Sequence, residues 1–279
     1  MKLLVIGHSV FDVIEDETGL KESPGGIFYT VSALNKIKLP EDEIFLCSCY
    51  DDNTHHFFLP EFSKVNTSLL NRVEKIPRVN LILSSGKERI EKYENINKSL
   101  EISVPDYNIF NGIMINMITG FDITINQLQE IRANFNGNII MDVHTLSRGL
   151  KKDQSRNFRV IPGFENWAKC LDVVQVNQSE VYTLFPLNSE LEIAKKLLTM
   201  GVRVLCVTKG ELGAKIYYNN DNEIFSFYIA AKNILKPVLV GCGDVFGSTF
   251  FYNYIRNQDA RFSLSLSVKN AEQFVAGKF

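Results

Sequence analysis

The stretch Gly241-Cys242-Gly243-Asp244 contains the residue types that phosphate chemistry needs. Its two glycines let the main chain approach a ligand closely, and the run that follows, through Tyr254, can form a helix. The first N–H groups of a helix have no partner within it and carry partial positive charge, so they bind anions. Asp244, in the first turn, could accept the proton of an alcohol. The stretch therefore fits phosphoryl transfer to a hydroxyl group, with a plain helix-capping turn as the alternative interpretation.

Further polar residues occur where apolar runs end. Runs near residues 3–6, 138–143, 173–176 and 202–207 are typical of buried parallel strands. Ligands bind beyond the carboxyl ends of such strands. We therefore expect one shared cleft, lined by the Gly241 turn and by the polar residues that follow these runs, namely Asp12, Asp142, Asn177 and Thr208.

Strand and helix patterns alternate along most of the chain, which predicts an α/β fold: a doubly wound, mostly parallel sheet with helices on both faces. Residues 11–22 contain a hairpin pattern, and residues 78–104 alternate charged and apolar side chains around a turn. These two stretches predict a small β lid over the cleft. Because the chain has no internal repeat or linker-like tract, we predict one domain, 1–279, with a lid formed by insertions near 11–24 and 78–104.

Composition excludes several classes of partner. The chain has 279 residues and a formal net charge of -2, so no general attraction to nucleic acid or to a membrane surface is expected. Its apolar runs are too short to span a bilayer. Five scattered cysteines without a CxxC pair suit a reducing cytoplasm, and four histidines show no zinc-binding spacing. We expect a cytoplasmic enzyme with small-molecule ligands.

Residues 145–169 carry little periodicity but are rich in basic side chains, including Arg148 and Arg156. One interpretation is a solvated loop. The other is a basic loop close to an anionic ligand.

Several segments of the sequence, taken in chain order, resemble the PfkB (ribokinase-like) family of carbohydrate and nucleoside kinases. The resemblance extends over nearly the whole chain. The matching segments are Gly7 with Asp12, the Gly25-Gly26 turn, Asn177-Gln178-Ser179-Glu180 (N-x-x-E), Thr208-Lys209-Gly210-Glu211-Leu212-Gly213 (T-x-G-x-x-G) and Gly241-Cys242-Gly243-Asp244 (G-A-G-D, with Cys for Ala). The resemblance implies a doubly wound sheet with a small β lid, in agreement with the patterns above.

The resemblance also implies a role for each matching residue. Asp244 is the general base on the acceptor hydroxyl, and the N–H groups of Gly241, Cys242 and Gly243 stabilise the transferring phosphoryl group. Asn177 and Glu180 hold Mg²⁺ through water, which suits an ion that dehydrates reluctantly. Residues that bind ATP are Thr208, Gly210 and Gly213, and those that bind the acceptor are Asp12, Gly25, Gly26 and Thr30.

Several positions depart from the family pattern. Val238 stands where the family commonly has an Asp tied to a monovalent-cation site, so activation by potassium is in question. Thr30 replaces a sugar-binding Asn, and a shorter side chain there changes what the acceptor pocket can recognise. His144 follows Asp142 where Pro-Asn-x-Arg is usual, and Thr249 replaces a Gly. The phosphoryl-transfer half is therefore better preserved than the acceptor half.

Together these observations predict ATP-dependent phosphoryl transfer to a hydroxymethyl group of a sugar or related polyol. A nucleoside kinase and a non-catalytic ligand-binding protein on a kinase fold are the alternatives. A dinucleotide-binding dehydrogenase is not favoured, because no GxGxxG follows the first strand. By the same resemblance, and because sheet edges are usually covered, we expect a homodimer formed through the lid.

Overall fold

The computed structural model describes residues 1–16, 19–82, 90–220, 223–234 and 240–279. Its strands are β1 (Lys2–Ile6), β2 (Ser9–Asp16), β3 (Gly19–Gly26), β4 (Glu43–Tyr50), β5 (Asn66–Arg72), β6 (Arg78–Ile82), β7 (Ile90–Glu94), β8 (Gly112–Asn116), β9 (Asn138–Asp142), β10 (Arg148–Leu150), β11 (Arg156–Phe158), β12 (Val173–Asn177), β13 (Val204–Thr208), β14 (Ala214–Asn220) and β15 (Glu223–Ile229). Its α-helices are α1 (Ile27–Ile37), α2 (His55–Phe62), α3 (Ile125–Asn134), α4 (Phe164–Ala168), α5 (Glu190–Thr199), α6 (Cys242–Asn257) and α7 (Ala260–Val275).

A nine-stranded sheet, in the order β15-β14-β13-β12-β9-β8-β1-β4-β5, forms the centre of the described chain. Neighbouring strands from β13 to β5 run parallel, and β14 and β15 form an antiparallel hairpin at one edge. All five residues of β8 are buried, since helices cover both faces of the sheet. Each fully buried Val, Leu or Ile side chain contributes about 1.5–3 kcal/mol. The predicted α/β architecture is confirmed.

Close packing holds α6, the helix that begins in the Gly241 turn, against the sheet. It contacts α1, α7 and the strands β8 and β9. A Cβ at Gly112 in β8 would lie 2.5 Å from Cδ1 of Ile255 in α6, so only a glycine allows this approach. Helix α1 is covered on most sides, and Lys36 is its one exposed residue. The N-terminus of α6 is thereby fixed beside the carboxyl ends of β9, β12 and β13.

A second, four-stranded sheet lies in the order β3-β2-β6-β7. The pairs β2–β3 and β6–β7 are antiparallel hairpins, and β2 joins β6 in parallel. This sheet has its own apolar cluster, consisting of Val10, Val79, Leu81, Tyr93 and Ile118. It is the small β lid predicted from residues 11–22 and 78–104, although 83–89 lie outside the described residues.

Among the described residues, no helix combines the length and apolar character needed to cross a lipid bilayer.

Candidate active site

A cleft of about 350 Å³ opens between the large sheet and the small one. The carboxyl ends of β9, β12 and β13 and the N-terminus of α6 contribute to its wall. Of the residues predicted to form the site, it brings together Asp12, Gly26, Asn177, Glu180, Thr208, Gly210, Gly241, Cys242, Gly243 and Asp244. The cleft therefore unites segments that are far apart in sequence, as expected for strand ends in an α/β sheet.

The turn at the start of α6 depends on a glycine. Gly241 has φ 90°, in the left-handed region, and a Cβ there would lie 2.5 Å from Cδ1 of Tyr29. Behind the turn, Gln175 Nε2 donates to the Gly243 carbonyl at 3.2 Å. Asn116 Nδ2 donates a long hydrogen bond of 3.5 Å to Asp244 Oδ1. The N–H groups of the first turn of a 16-residue helix and one carboxylate thus face the same cleft.

Negative charge is concentrated around Asp142. Burial raises the pKa of Asp142 well above its ordinary value; His144 opposes that shift, whereas the carboxylates of Glu180 and Asp244 add to it. His144 Nδ1 lies 3.8 Å from Glu180 Oε1. A cation in the cleft would offset this crowding of carboxylates.

The N-x-x-E segment forms a self-contained turn. Asn177 Oδ1 accepts from the N–H groups of Ser179 and Glu180, each at 2.9 Å, and Glu180 Oε2 accepts from the Asn177 N–H at 2.9 Å. The Ser179 side chain makes no capping hydrogen bond. The helix that follows is a short 3-10 turn, Glu180–Thr183. Glu180 Oε1 remains as the oxygen directed toward His144 and the cleft.

These residues fit a hydrated Mg²⁺ better than a directly ligated ion. Among the described residues no group of three or more His, Cys, Asp or Glu side chains could hold a metal, and Asn177 Oδ1 is engaged by main-chain donors. Glu180 Oε1, with the neighbouring Asp142 carboxyl, remains to accept hydrogen bonds from metal-bound water.

A second cavity, of about 430 Å³, adjoins the first and shares Thr208, Gly210, Cys242 and Gly243 with it. Gly213 lies here; it has φ 107°, and a Cβ would lie 2.0 Å from the Ile229 carbonyl oxygen. The remaining wall is largely apolar, from Ala214, Ala231, Ile234, Phe246, Val268, Ala271 and Val275. An anion-binding turn beside an apolar slot suits a ligand with phosphates at one end and a flat base at the other.

Asp12 lies on the opposite side of the cleft, in the small sheet. It is in the middle of β2, paired with Ser23 of β3, and not at the end of a strand of the large sheet as the sequence suggested. A Cβ at Gly25 would lie 2.0 Å from Asp12 Oδ2, so the glycine leaves room for this carboxylate. Gly26 has φ 60° and immediately precedes α1. Residues 23–26 are therefore the end of β3, where a free turn was predicted.

Thr30 does not line the cleft. It is completely buried in α1, and its Oγ1 has no hydrogen-bond partner among the described residues. Tyr29 lines the cleft instead. Sequence patterns gave no reason to select Tyr29, because an aromatic residue in an apolar helix is usually part of the core.

Part of the basic segment 145–169 also reaches the cleft. Arg148 and Arg156 are both buried, so a solvated loop is wrong for these two residues. Arg148 lines the cleft and stacks on Phe158, with 4.2 Å between Cζ and the ring centroid. Arg156 donates to the carbonyls of Arg148 at 3.2 Å and Thr119 at 2.6 Å. The sequence signal for these two arginines was the excess of basic side chains in a segment without periodicity.

Two further departures from the family pattern are Val238 and Thr249. Val238 is outside the described residues, so the potassium question stays as the sequence left it. Thr249 is buried within α6, where its Oγ1 accepts from Asn270 Nδ2 of α7 at 3.3 Å. The Thr at position 249 therefore contributes to helix packing.

Comparisons with known proteins support the fold. No family model and no curated protein matches the chain. A pyrophosphate-dependent kinase in the ribokinase family, complexed with a pyrophosphate analogue and myo-inositol, superposes with a TM-score of 0.78 at 11% identity, over 99% of this chain and 95% of that one. An Arabidopsis thaliana ribokinase complexed with ribose and ATP gives 0.76 at 14% identity, over 98% and 92%.

A Methanocaldococcus jannaschii nucleoside kinase, an archaeal member of the ribokinase family, gives a TM-score of 0.71 at 17% identity, over 99% of this chain and 92% of that one. The likeness extends over almost the whole of each chain and includes both the large sheet and the small one. The chain is therefore a ribokinase-like α/β protein, with the fold of the ribokinase-family kinases.

Proposed function

We propose that this protein is a kinase that transfers a phosphoryl group from ATP to a hydroxymethyl group of a sugar or related polyol. One observation carries the proposal. Asp244 lines the same cleft as Asp12, and the first turn of α6 lines both this cleft and the adjoining apolar cavity. The acceptor would enter from the Asp12 side and the nucleotide from the other. The likeness to ribokinase-family kinases supports this reaction class.

In this mechanism Asp244 accepts the proton of the attacking hydroxyl as the bond to phosphorus forms. The N–H groups of Gly241, Cys242 and Gly243 stabilise the negative charge on the transferring phosphoryl oxygens, because they are fixed in place before the reaction. Gln175 supports this turn through its bond to the Gly243 carbonyl.

Glu180, with Asp142 beside it, would hold hydrated Mg²⁺, and Asn177 would keep the Glu180 side chain in position. When bound, Mg²⁺ neutralises charge on the donor phosphates. Thr208, Gly210 and Gly213 would contact the nucleotide, whose base fits the apolar cavity. Asp12, for which Gly25 makes room, would accept hydrogen bonds from acceptor hydroxyls, and Gly26 would line the acceptor side of the cleft.

A nucleoside kinase is the second candidate. The inner face of the small sheet presents the apolar side chains Val10, Val79 and Leu81, together with Tyr93, to the cleft. Such a surface suits the flat face of a base better than a fully hydroxylated ring. A non-catalytic role is less well supported, because the general base and the anion-binding turn both face the cleft.

The test is an ATP-consumption assay with D-ribose, myo-inositol and adenosine, on the wild type and on Asp244→Asn. We expect kcat to fall by about 10²–10⁴-fold in the variant, the usual loss for a general base, while the Kd for ATP stays the same. Asp106→Asn is the matched control: it caps the 3-10 turn before β8, and Asn keeps that capping oxygen. Full activity of Asp244→Asn would contradict the mechanism. Pyrophosphate as the phosphoryl donor in a parallel assay separates the two donor types.

We also propose a homodimer formed through the lid. Strand β3 is one edge of the small sheet in the described chain, and the other edge, β7, pairs with Ser155 only through a single bridge at Lys92; exposed edges are usually covered. Light scattering tests this, and a monomer mass would contradict it. We further propose a cytoplasmic location, since Cys47, Cys49, Cys170 and Cys206 are buried thiols that form no disulfide among the described residues.

A further inference from the structure

The acceptor side of the cleft differs from the arrangement that the family resemblance implies. The family pattern gives position 30 the polar side chain that binds the acceptor, and here Thr30 is completely buried. Its neighbour Tyr29 lines the cleft. Successive residues of a helix point about 100° apart, so only one of the two can face the ligand.

Tyr29 spans the distance between the anion-binding turn and the lid. At one end its ring packs against Gly241, where a Cβ would lie 2.5 Å from Cδ1. At the other end its hydroxyl lies near the Ser23 side chain, and Ser23 is the β-sheet partner of Asp12. The phenol therefore lies between the residue that would bind the acceptor and the residue that would activate it.

The electrostatics agree with this position. Burial, followed by the negative charge of Asp12, raises the pKa of Tyr29 to about 12, and Asp244 adds to the shift. The phenol consequently keeps its proton across the physiological range. The Asp12 and Asp244 carboxyl groups supply acceptors, whereas an alcohol needs a donor for its lone pairs as well as an acceptor for its proton.

We propose that Tyr29 is an acceptor-binding residue whose phenolic O–H donates to the acceptor and orients its hydroxymethyl group toward Asp244, in place of the side chain at position 30. This inference rests on the proposed function and names the group that completes its acceptor site. The phenolic O–H is then the donor to the reacting acceptor hydroxyl, and Asp12 accepts a hydrogen bond from a second hydroxyl of the acceptor.

A role in packing alone makes a different prediction. The Tyr29 ring lies edge-on to Phe274, with 6.2 Å between centroids, and to Phe28, with 6.0 Å. These contacts involve the ring and not the hydroxyl. Tyr29→Phe keeps the ring and removes only the hydrogen-bonding group, so it separates packing from ligand binding.

The experiment compares Tyr29→Phe with Thr30→Val, using D-ribose, myo-inositol and adenosine as acceptors. We expect Tyr29→Phe to raise the acceptor KM about ten-fold, the effect of one lost hydrogen bond, and to leave the KM for ATP within roughly two-fold of the wild-type value. Tyr107→Phe is the tyrosine control, because this buried residue precedes β8 at the opposite end from the cleft. A normal acceptor KM in Tyr29→Phe, or the same ten-fold rise confined to Thr30→Val, overturns the inference.

Binding without turnover separates this inference from the proposed reaction. In an Asp244→Asn background, thermal shifts with the three compounds report acceptor binding alone. A shift that Tyr29→Phe abolishes supports the inference, even if the wild type phosphorylates none of them and the proposed function fails. Phosphorylation that proceeds with an unchanged acceptor KM in Tyr29→Phe leaves the proposed function intact and overturns the inference. A wild type that neither binds nor phosphorylates any of the three overturns both.

Discussion

The two ends of the cleft are built from different parts of the polypeptide. The proposed donor end is formed mainly by main-chain groups, from the first turn of α6, with Gly241 at φ 90°, and from the 208–213 segment, with Gly213 at φ 107°. The proposed acceptor end is formed by side chains, namely Asp12 from β2, Tyr29 from α1 and Arg148 from β10. A main-chain site requires glycines at fixed places, whereas a side-chain site can change with each residue.

This difference separates the chemistry from the specificity. In the proposed function the donor end would bind groups that are common to every phosphoryl transfer, so its geometry follows from a few glycines and a helix terminus. The acceptor end would recognise one molecule, and its side chains lie on the small sheet, on the first turn of α1 and on β10. The variants below test that division, from the largest expected effect to the smallest.

The largest effect is expected at Gly241. Gly241→Ala places a Cβ against the Tyr29 ring and strains a backbone at φ 90°, so the anion-binding N–H groups shift. We expect kcat to fall by about 10²–10³-fold, the loss seen when an oxyanion donor is removed. Gly201→Ala is the matched control: φ is 104° there, and no atom lies within 4 Å of the added Cβ. Equal losses in both variants would mean that strain, and not the anion site, explains the result.

A smaller and one-sided effect is expected at Gly25. Gly25→Ala places a Cβ 2.0 Å from Asp12 Oδ2 and must displace that carboxylate. We expect the acceptor KM to rise about ten-fold, as for a lost hydrogen bond to a charged group, while the KM for ATP is unchanged. Gly19→Ala, in the same strand with no atom within 4 Å of the added Cβ, is the control. A matching rise in the KM for ATP would break the division between the two ends.

Asp51 should affect stability and leave turnover unchanged. This buried carboxylate lies outside the cleft and accepts from the N–H groups of Asn53, Thr54 and Ile76, at 2.9, 2.8 and 2.8 Å. Burial alone would raise the pKa of Asp51, but these bonds hold it below its ordinary value. We expect Asp51→Asn to lower the free energy of unfolding by about 1–3 kcal/mol at pH 7, with kcat unchanged.

The sign of the pH dependence follows from that lowered pKa. The stabilisation by Asp51 is present above the unfolded pKa of about 3.9 and is lost as the pH falls through the lower, folded value. Urea unfolding at pH 7 and pH 3 measures it, and the wild type and variant should converge at the acidic end. Asp52→Asn, which removes an exposed partner of Arg72, is the neighbouring control. A difference of the same size at both pH values would contradict the assignment.

Sequence patterns could predict the donor end because its requirements are local. The glycines at 241 and 243 and the apolar strands before Asn177 and Thr208 specify turns and strand ends directly. The acceptor end depends on long-range pairing. Asp12 lies inside β2, and its neighbours are fixed by the parallel pairing of β2 with β6, more than sixty residues later.

The rotation of α1 was also beyond local patterns. Tyr29 and Thr30 are adjacent in an apolar helix, and packing against α6 decides which of them faces the cleft. Arg148 and Arg156 gave a compositional signal without a position, because their burial depends on aromatic rings and carbonyls from other segments.

The β2–β3 hairpin is inserted between β1 and α1, and each connection is only one or two residues long: Gly7-His8 on one side and the Gly26 junction on the other. The hairpin is therefore joined closely to β1 at one end and to α1 at the other. A rotation of the hairpin about these two junctions would move Asp12 relative to Asp244 while Tyr29 stayed with α1. Capture of the acceptor and alignment of its hydroxyl would then be a single mechanical event, and release of the product would require the same rotation in reverse.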